Sequence, residues 1–208
     1  MTRRRVLVLL AHPVLERSRV NRRLAEVARS VEGITLHDLY EAYPSLRIKV
    51  RHEQQLLVEH DVIVFQHPFY WYSVPALLKE WQDLVLEHGW AYGSKGHALD
   101  GKYTLNALST AGPEVAYQST GGNRFTIRQL LAPWDQSAYR CRMKYFAPFV
   151  THGALRLDKD EDYLPAMNDY RALLEALRDD RVDLEAAAKV EKINFPLSAV
   201  LKPSEVKP

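Results

Sequence analysis

The sequence predicts an α/β fold: a doubly wound parallel sheet of five strands, helices on both faces, and a C-terminal appendage. Three observations predict it. Residues 6–11 and 62–66 are almost wholly apolar, as strands buried on both faces of a parallel sheet must be. Segments of helical periodicity alternate with such strands along the chain. A chain of 208 residues, 47% of them hydrophobic, builds one sizeable core and leaves two full domains cramped.

Residues 6–11 form the central first strand. Arg3, Arg4 and Arg5 ahead of it read as a solvated lead-in and not as the start of a secretory signal, because the apolar run is short and stops at His12-Pro13. Val20, Leu24, Val27, Ala28 and Val31 then recur at helical spacing, with Gly33 closing the helix. Residues 34–39 are a second strand, 51–60 a short helix around Leu56-Leu57, and 61–66 a third strand. Ser73 as N-cap and Pro75 as first helical residue open a helix with Leu77, Leu78, Trp81, Leu84 and Val85 on one face. Residues 103–109 are a fourth strand, and 124–143 are helical with a break at Pro133. Residues 146–151 are the fifth strand, placed at a sheet edge by Pro148. Tyr163, Met167, Tyr170, Leu174 and Leu177 mark the last core helix. The repeat ends near 180, so residues 1–180 form the domain. Residues 181–208 form a helical and irregular extension carrying Ile193 to Leu197, Leu201, Pro203 and Pro208.

The balance of 28 basic against 26 acidic residues, net +2, gives no electrostatic case for nucleic acid. No stretch reaches bilayer length, which predicts a soluble chain. Cys141 is the single cysteine, so no internal disulfide forms, which suits a reducing cytosol. The eight histidines are scattered, and no His, Cys or carboxylate set has metal-ligand spacing. Residues 96–102 imitate the opening of a phosphate-binding P-loop, but Tyr103 stands where Ser or Thr is required and the run precedes a strand. No glycine triplet follows the first strand, so the nicotinamide-binding Rossmann fingerprint is missing.

In an open α/β sheet, ligands bind beyond the carboxyl ends of the strands. Three loops lie there. Residues 12–21 lead through Ser18-Arg19-Val20-Asn21 into a helix, which makes either an anion site or a plain N-cap. Residues 67–74 carry Pro68-Phe69-Tyr70-Trp71-Tyr72, a run of rings suited to a planar partner, whether core, subunit or cofactor. Residues 109–123 open with Ser109-Thr110-Ala111-Gly112, small enough for a flat ring to approach the backbone.

Together, Ala11-His12-Pro13 with Ser18 and Asn21, the run from His67 through Pro75 to Lys79, and Ser109-Thr110-Ala111-Gly112 resemble the flavodoxin-like NAD(P)H:quinone oxidoreductases. The resemblance covers about residues 5–178 and is nearest to the ancillary oxidoreductases of glutathione-regulated potassium efflux systems. It implies a sheet ordered 2-1-3-4-5, a bound FMN or FAD, and two-electron ping-pong transfer from NAD(P)H to a quinone. Ser18, Arg19, Val20 and Asn21 would then hold phosphate, with His12 beside the phosphate or ribityl chain. Pro68, Phe69, Tyr70, Trp71 and Tyr72 would flank the ring, and Ser109, Thr110, Ala111 and Gly112 would meet its pyrimidine side. Tyr117 falls where some members carry a catalytic Tyr, and Asn123 stands at the position of its His partner, where it offers a hydrogen bond but no proton relay. Ala111 replaces a glycine of larger members, which a methyl permits if φ is not positive there.

The resemblance further implies a homodimer, with Trp90, Tyr92 and Trp134 as candidate interface rings; a core or ligand-lining place is the alternative for Trp90 and Tyr92. It also implies a cytoplasmic protein that reaches a membrane only through a potassium/proton antiporter. Regulation of that antiporter is the alternative function. A one-electron flavodoxin carrier fits poorly, because such carriers are strongly acidic.

Overall fold

A computed structural model describes residues 3–194 and 196–202; Phe195, Pro203 and Pro208 lie outside the described residues. Strands β1 (Val6–Leu10), β2 (Ile34–Asp38), β3 (Val62–Pro68), β4 (Tyr103–Ser109), β5 (Lys144–Tyr145) and β6 (Phe149–Thr151) form one parallel sheet. Its order is β2-β1-β3-β4-β5, with β6 also pairing β4. The fifth strand expected at 146–151 is thus shortened to Phe149–Thr151, and Lys144–Tyr145, outside that range, pairs the same neighbour as a separate piece. Phe146 still donates to Thr104 O at 2.9 Å, but Pro148 has no N–H to continue the ladder. Instead Ala147 N–H bonds Ala187 O at 3.1 Å and Pro148 O accepts from Ile193 at 2.9 Å, so the extension takes over the broken ladder.

Alternate strand residues face two helical layers. Val6, Val8, Val62, Val64, Leu105 and Ala107 pack beneath α1 (Asn21–Ser30) and α7 (Asp160–Arg178). Leu7, Leu9, Ile63, Phe65 and Leu108 pack beneath α3 (Val50–Glu59), α4 (Ala76–Val85), α5 (Ile127–Leu130) and α6 (Ala132–Arg140). A single-turn helix α2 (Leu39–Ala42), absent from the sequence reading, follows β2 because Asp38 accepts from the Tyr40 and Glu41 N–H groups at 3.0 and 3.3 Å. The extension holds α8 (Leu184–Lys189), and its Ala187, Ile193, Leu197 and Val200 are buried in the same core as α1 and α7.

Several local expectations are corrected. β3 runs on through His67 and Pro68, because both continue the pairing with Leu108 and Ser109, so the loop begins at Phe69. Ser73 does not cap α4: Pro75 is the N-cap, without a side-chain bond, and Ser73 closes a tight turn instead. Leu84 is exposed. Trp134 is buried with its ring centre 4.7 Å from that of Phe65, so it is a core ring and not a free interface residue. Cys141 is buried, which pushes its thiol up from the ordinary range. No helix among the described residues is long and apolar enough to cross a membrane.

Candidate functional site

The carboxyl ends of β1, β3 and β4 surround a cavity of about 390 Å³, within the roughly 300–1,000 Å³ common for small-molecule sites. The first loop supplies His12, Val14 and Arg17 to Val20; the second supplies Pro68, Phe69 and Tyr70; the third supplies Ser109, Thr110 and Ala111; Ala154 and Leu155 close the far side. A second cleft of about 270 Å³ shares Phe69 and is lined by Trp71, Tyr72, Gly112, Ala116, Tyr117 and Asn123.

The first loop is fixed by a buried polar network. Ser18 Oγ accepts from Asn21 N–H at 3.0 Å, and Asn21 Nδ2 donates to Ser109 Oγ at 2.9 Å. Gln66 Nε2 donates to Asn21 O at 2.9 Å, while Tyr170 donates to Gln66 Oε1 at 3.1 Å. Asn21 is therefore fully buried behind the cavity, tying the first loop to the third, and does not line the cavity itself. Val20, not Ser18, is the N-cap of α1 and contributes no side-chain bond; Ser18 Oγ takes the Asn21 N–H, which leaves the next first-turn N–H groups, of Arg22 and Arg23, for an anion. Arg19 reaches the opposite wall, donating to Leu155 O, Leu157 O and Asp158 Oδ1 at 3.2, 3.3 and 2.8 Å. His12 Nδ1 accepts from Val14 N–H at 3.2 Å, so its Nε2 carries the proton of the neutral ring. Burial lowers its pKa and favours that neutral donor.

The aromatic run is built differently. Phe69 is buried, Tyr70 and Tyr72 are each 46% exposed, and Trp71 is 92% exposed. Ser73 N–H closes on Tyr70 O at 2.9 Å, with Trp71 and Tyr72 at φ 48° and 61° between them. Two successive left-handed residues are the signature of a type I′ turn, which ordinarily takes Asn-Gly. Holding L-residues there costs on the order of 1–2 kcal/mol each.

In the third loop, Thr110 donates to Gly112 O at 2.8 Å, so His152 Nδ1, 3.1 Å away, is the donor to Thr110 Oγ1. The His152 and Tyr117 ring centres are 5.6 Å apart. Burial, aided by Lys192, lowers His152 to about 4. Burial likewise raises the Tyr117 hydroxyl, opposed by its contacts with Thr110 and Asn123. Gly153 takes φ +69°, letting its N–H reach Gly112 O at 2.9 Å and pin the two loops together. Ala111 has no positive φ, so its methyl is accommodated. Asn123 accepts from the Tyr72 hydroxyl at 3.1 Å.

A model of the family described as having a flavodoxin-like fold matches residues 4–174. The chain belongs to that family. It is 49% identical over 156 residues to a glutathione-regulated potassium-efflux system ancillary protein, KefG, of Pectobacterium carotovorum, an alignment spanning 75% of this chain and 85% of that one. Among solved structures, general stress protein 14 of Treponema denticola in complex with FMN superposes with TM-score 0.77 at 38% identity, covering 83% of this chain and 99% of that one. An NADPH-quinone reductase from P. pentosaceus superposes with TM-score 0.74 at 31% identity, covering 83% and 97%.

On this flavodoxin-like fold, His12, Ser18, Arg19, Val20, Pro68, Phe69, Tyr70, Ser109, Thr110 and Ala111 converge on the first cavity, and Trp71, Tyr72, Gly112, Tyr117 and Asn123 on the second. The sequence reading missed Val14, Arg17, Ala154, Leu155 and His152. The last three follow the carboxyl end of β6, and the same strand-end rule extended to the fifth strand position would have found them. It also missed one grouping: His37, His52 and Glu53 place ligand-type atoms within 4.8 Å of one another. The Glu53 carboxylate there is already engaged by His37 Nε2 at 2.9 Å, Trp81 Nε1 at 2.8 Å and the Tyr43 hydroxyl, as expected of a buried carboxylate holding the core together.

Proposed function

We propose that this protein is a flavin-dependent NAD(P)H:quinone oxidoreductase that binds FMN. The observation that carries the reading is the pairing of two ends in the first cavity: a helix N-terminus with Ser18 and the neutral His12 donor at one, and Phe69 and Tyr70 at the other, with Trp71 and Tyr72 on the adjoining cleft that shares Phe69. The donor set fits such a cofactor. N–H groups at the start of a helix suit a phosphate, the His12 Nε2–H suits an uncharged hydroxyl acceptor, and the Phe69 to Tyr72 wall suits a flat ring.

Bound there, the flavin supplies hydride acceptance from NAD(P)H and its return to a quinone in ping-pong order. The chain's own part is positional. Ser18, Arg19 and Val20 hold the phosphate end, with Asn21 bracing their loop from behind. Phe69, Tyr70, Trp71 and Tyr72 exclude water from the ring, and Thr110, Ala111 and Gly112 present backbone to its edge. The Tyr117 hydroxyl, neutral because burial raises it, stands ready to donate a hydrogen bond to a reduced acceptor. Its histidine neighbour is His152, and Asn123 orients Tyr72.

The test is direct. Purified protein incubated with FMN should turn yellow, release flavin of FMN mass on denaturation, and oxidise NADH or NADPH with a benzoquinone as acceptor. Protein that takes up neither FMN nor FAD sinks the proposal; released FAD corrects only the cofactor.

Relatives named as efflux-system ancillary proteins favour a second role in regulating potassium efflux; on that reading the protein works as a cytoplasmic homodimer that docks on a potassium/proton antiporter at the membrane. Trp71→Ala separates the two. Stimulated efflux in a variant that has lost quinone reduction places the main role in binding.

A further inference from the structure

A row of buried polar side chains crosses the sheet below the aromatic turn. Tyr145 on β5 donates to Asn106 Oδ1 on β4 at 2.6 Å, and Asn106 Nδ2 lies 2.9 Å from His67 Nε2 on β3. His67 Nδ1 lies 3.0 Å from Pro68 O. A carbonyl only accepts, so Nδ1 carries the proton and Nε2 accepts from Asn106. Flipping the Asn106 amide would require both His67 nitrogens to be protonated, a cation fully buried under the Trp134 ring, which stacks 6.4 Å away at 21°. The row therefore runs in one direction, from the Tyr145 hydroxyl to the Pro68 carbonyl.

That carbonyl is where the strained turn is rooted. Pro68 O also accepts from Tyr70 N–H at 3.1 Å, Phe69 N–H is fixed on Ser109 O at 2.8 Å, and Tyr70 O closes the turn with Ser73. Two left-handed aromatic residues persist only where the surroundings over-determine them. Above the turn the support is thin: Trp71 is almost fully exposed, the Tyr72 hydroxyl reaches Asn123 Oδ1 at 3.1 Å, and the Tyr70 ring meets His12 edge-on at 6.2 Å. We infer that His67, held by Asn106 and Tyr145, is the positioning residue that fixes the Pro68 carbonyl and with it the pose of Trp71 and Tyr72. The three residues span β3, β4 and β5, so the register of the sheet is what aims the turn at the cleft. For catalysis the inference rests on the flavin reading, but the geometry it asserts does not.

Amide hydrogen exchange in the full chain tests it without cofactor. His67→Phe keeps a ring and removes the donor; the Tyr70 and Ser73 amides should exchange at least tenfold faster while those of β1 stay unchanged. His67→Asn, whose amide can reach Pro68 O, should restore them to within threefold of the starting protein. A folded His67→Phe variant with exchange within threefold of the starting protein overturns the inference, as does failure of His67→Asn to restore it. Should His67→Phe not fold, Tyr145→Phe leaves His67 and nearly all the volume in place. It should speed the same two amides at least threefold, and unchanged exchange there also overturns the inference. A protein that binds no flavin yet shows this exchange pattern would refute the functional reading and leave this one standing.

Discussion

The first loop and the aromatic turn border adjoining cavities that share Phe69 and are stabilised in opposite ways. The first loop is unstrained and interlocked: Ser18, Asn21, Gln66, Ser109 and Tyr170 bond one another in the interior. The turn places rings in left-handed geometry on the surface and draws its order from the layer below. On the proposed function, a site that grips one end of a ligand and lets other molecules come and go at the other benefits from that division. Stability resides in the first loop, and strain in the face that meets solvent.

Acid should break the support of the turn with the largest effect. Burial lowers His67 to about 4 against 6.5 in the unfolded chain, and His152 shifts the same way. Between those values the unfolded chain binds more protons, so this stability is fully present above about pH 6.5 and is lost as pH falls toward 4. His67 alone accounts for up to about 3 kcal/mol. Urea midpoints from pH 7.5 to 4.5 should drop accordingly, and His67→Asn should flatten the slope. A slope unchanged by that substitution would detach His67 from the comparison.

Breaking the first loop should cost slightly less. Asn21→Ala leaves the Ser109 hydroxyl without its donor and opens space behind the cavity, which is worth about 2–3 kcal/mol. Chemical denaturation measures it, and FMN titration should show at least tenfold weaker binding as the first and third loops part. A loss below about 0.5 kcal/mol would mean that the loop is held by something other than this network.

How much of this was legible in the sequence follows from range. Apolar runs and helical spacing placed β1, β3, β4, α1, α4 and α7, because each depends on its own residues. The aromatic run and the small-residue loop identified themselves by type. The sequence singles out Asn21 in the first loop but hides its bond to Ser109, since only the fold brings the two together across 88 positions. His152 and the His67 row were invisible for the same reason: bonds between strands depend on register, which no local pattern reveals. Ser73 reads as a cap in sequence because a hydroxyl before Pro75 looks identical in a tight turn.

The smallest effect runs in the opposite direction. Replacing Trp71 and Tyr72 together by Asn and Gly supplies the residues that a type I′ turn prefers, and should raise stability by about 1–2 kcal/mol through relief of left-handed strain at φ 48° and 61°. Trp71 buries almost nothing, so what offsets the gain is the half-buried Tyr72 ring and its bond to Asn123 Oδ1. On the proposed function, the same variant should retain FMN affinity set by the first loop to within about tenfold, while quinone reduction falls by more than that, because two of the four rings proposed to exclude water are gone. Thermal melts and steady-state rates on one preparation read both quantities. A variant that is less stable than the starting protein would show that the rings hold the turn and are not held by it, reversing the contrast between the two sides of the cleft.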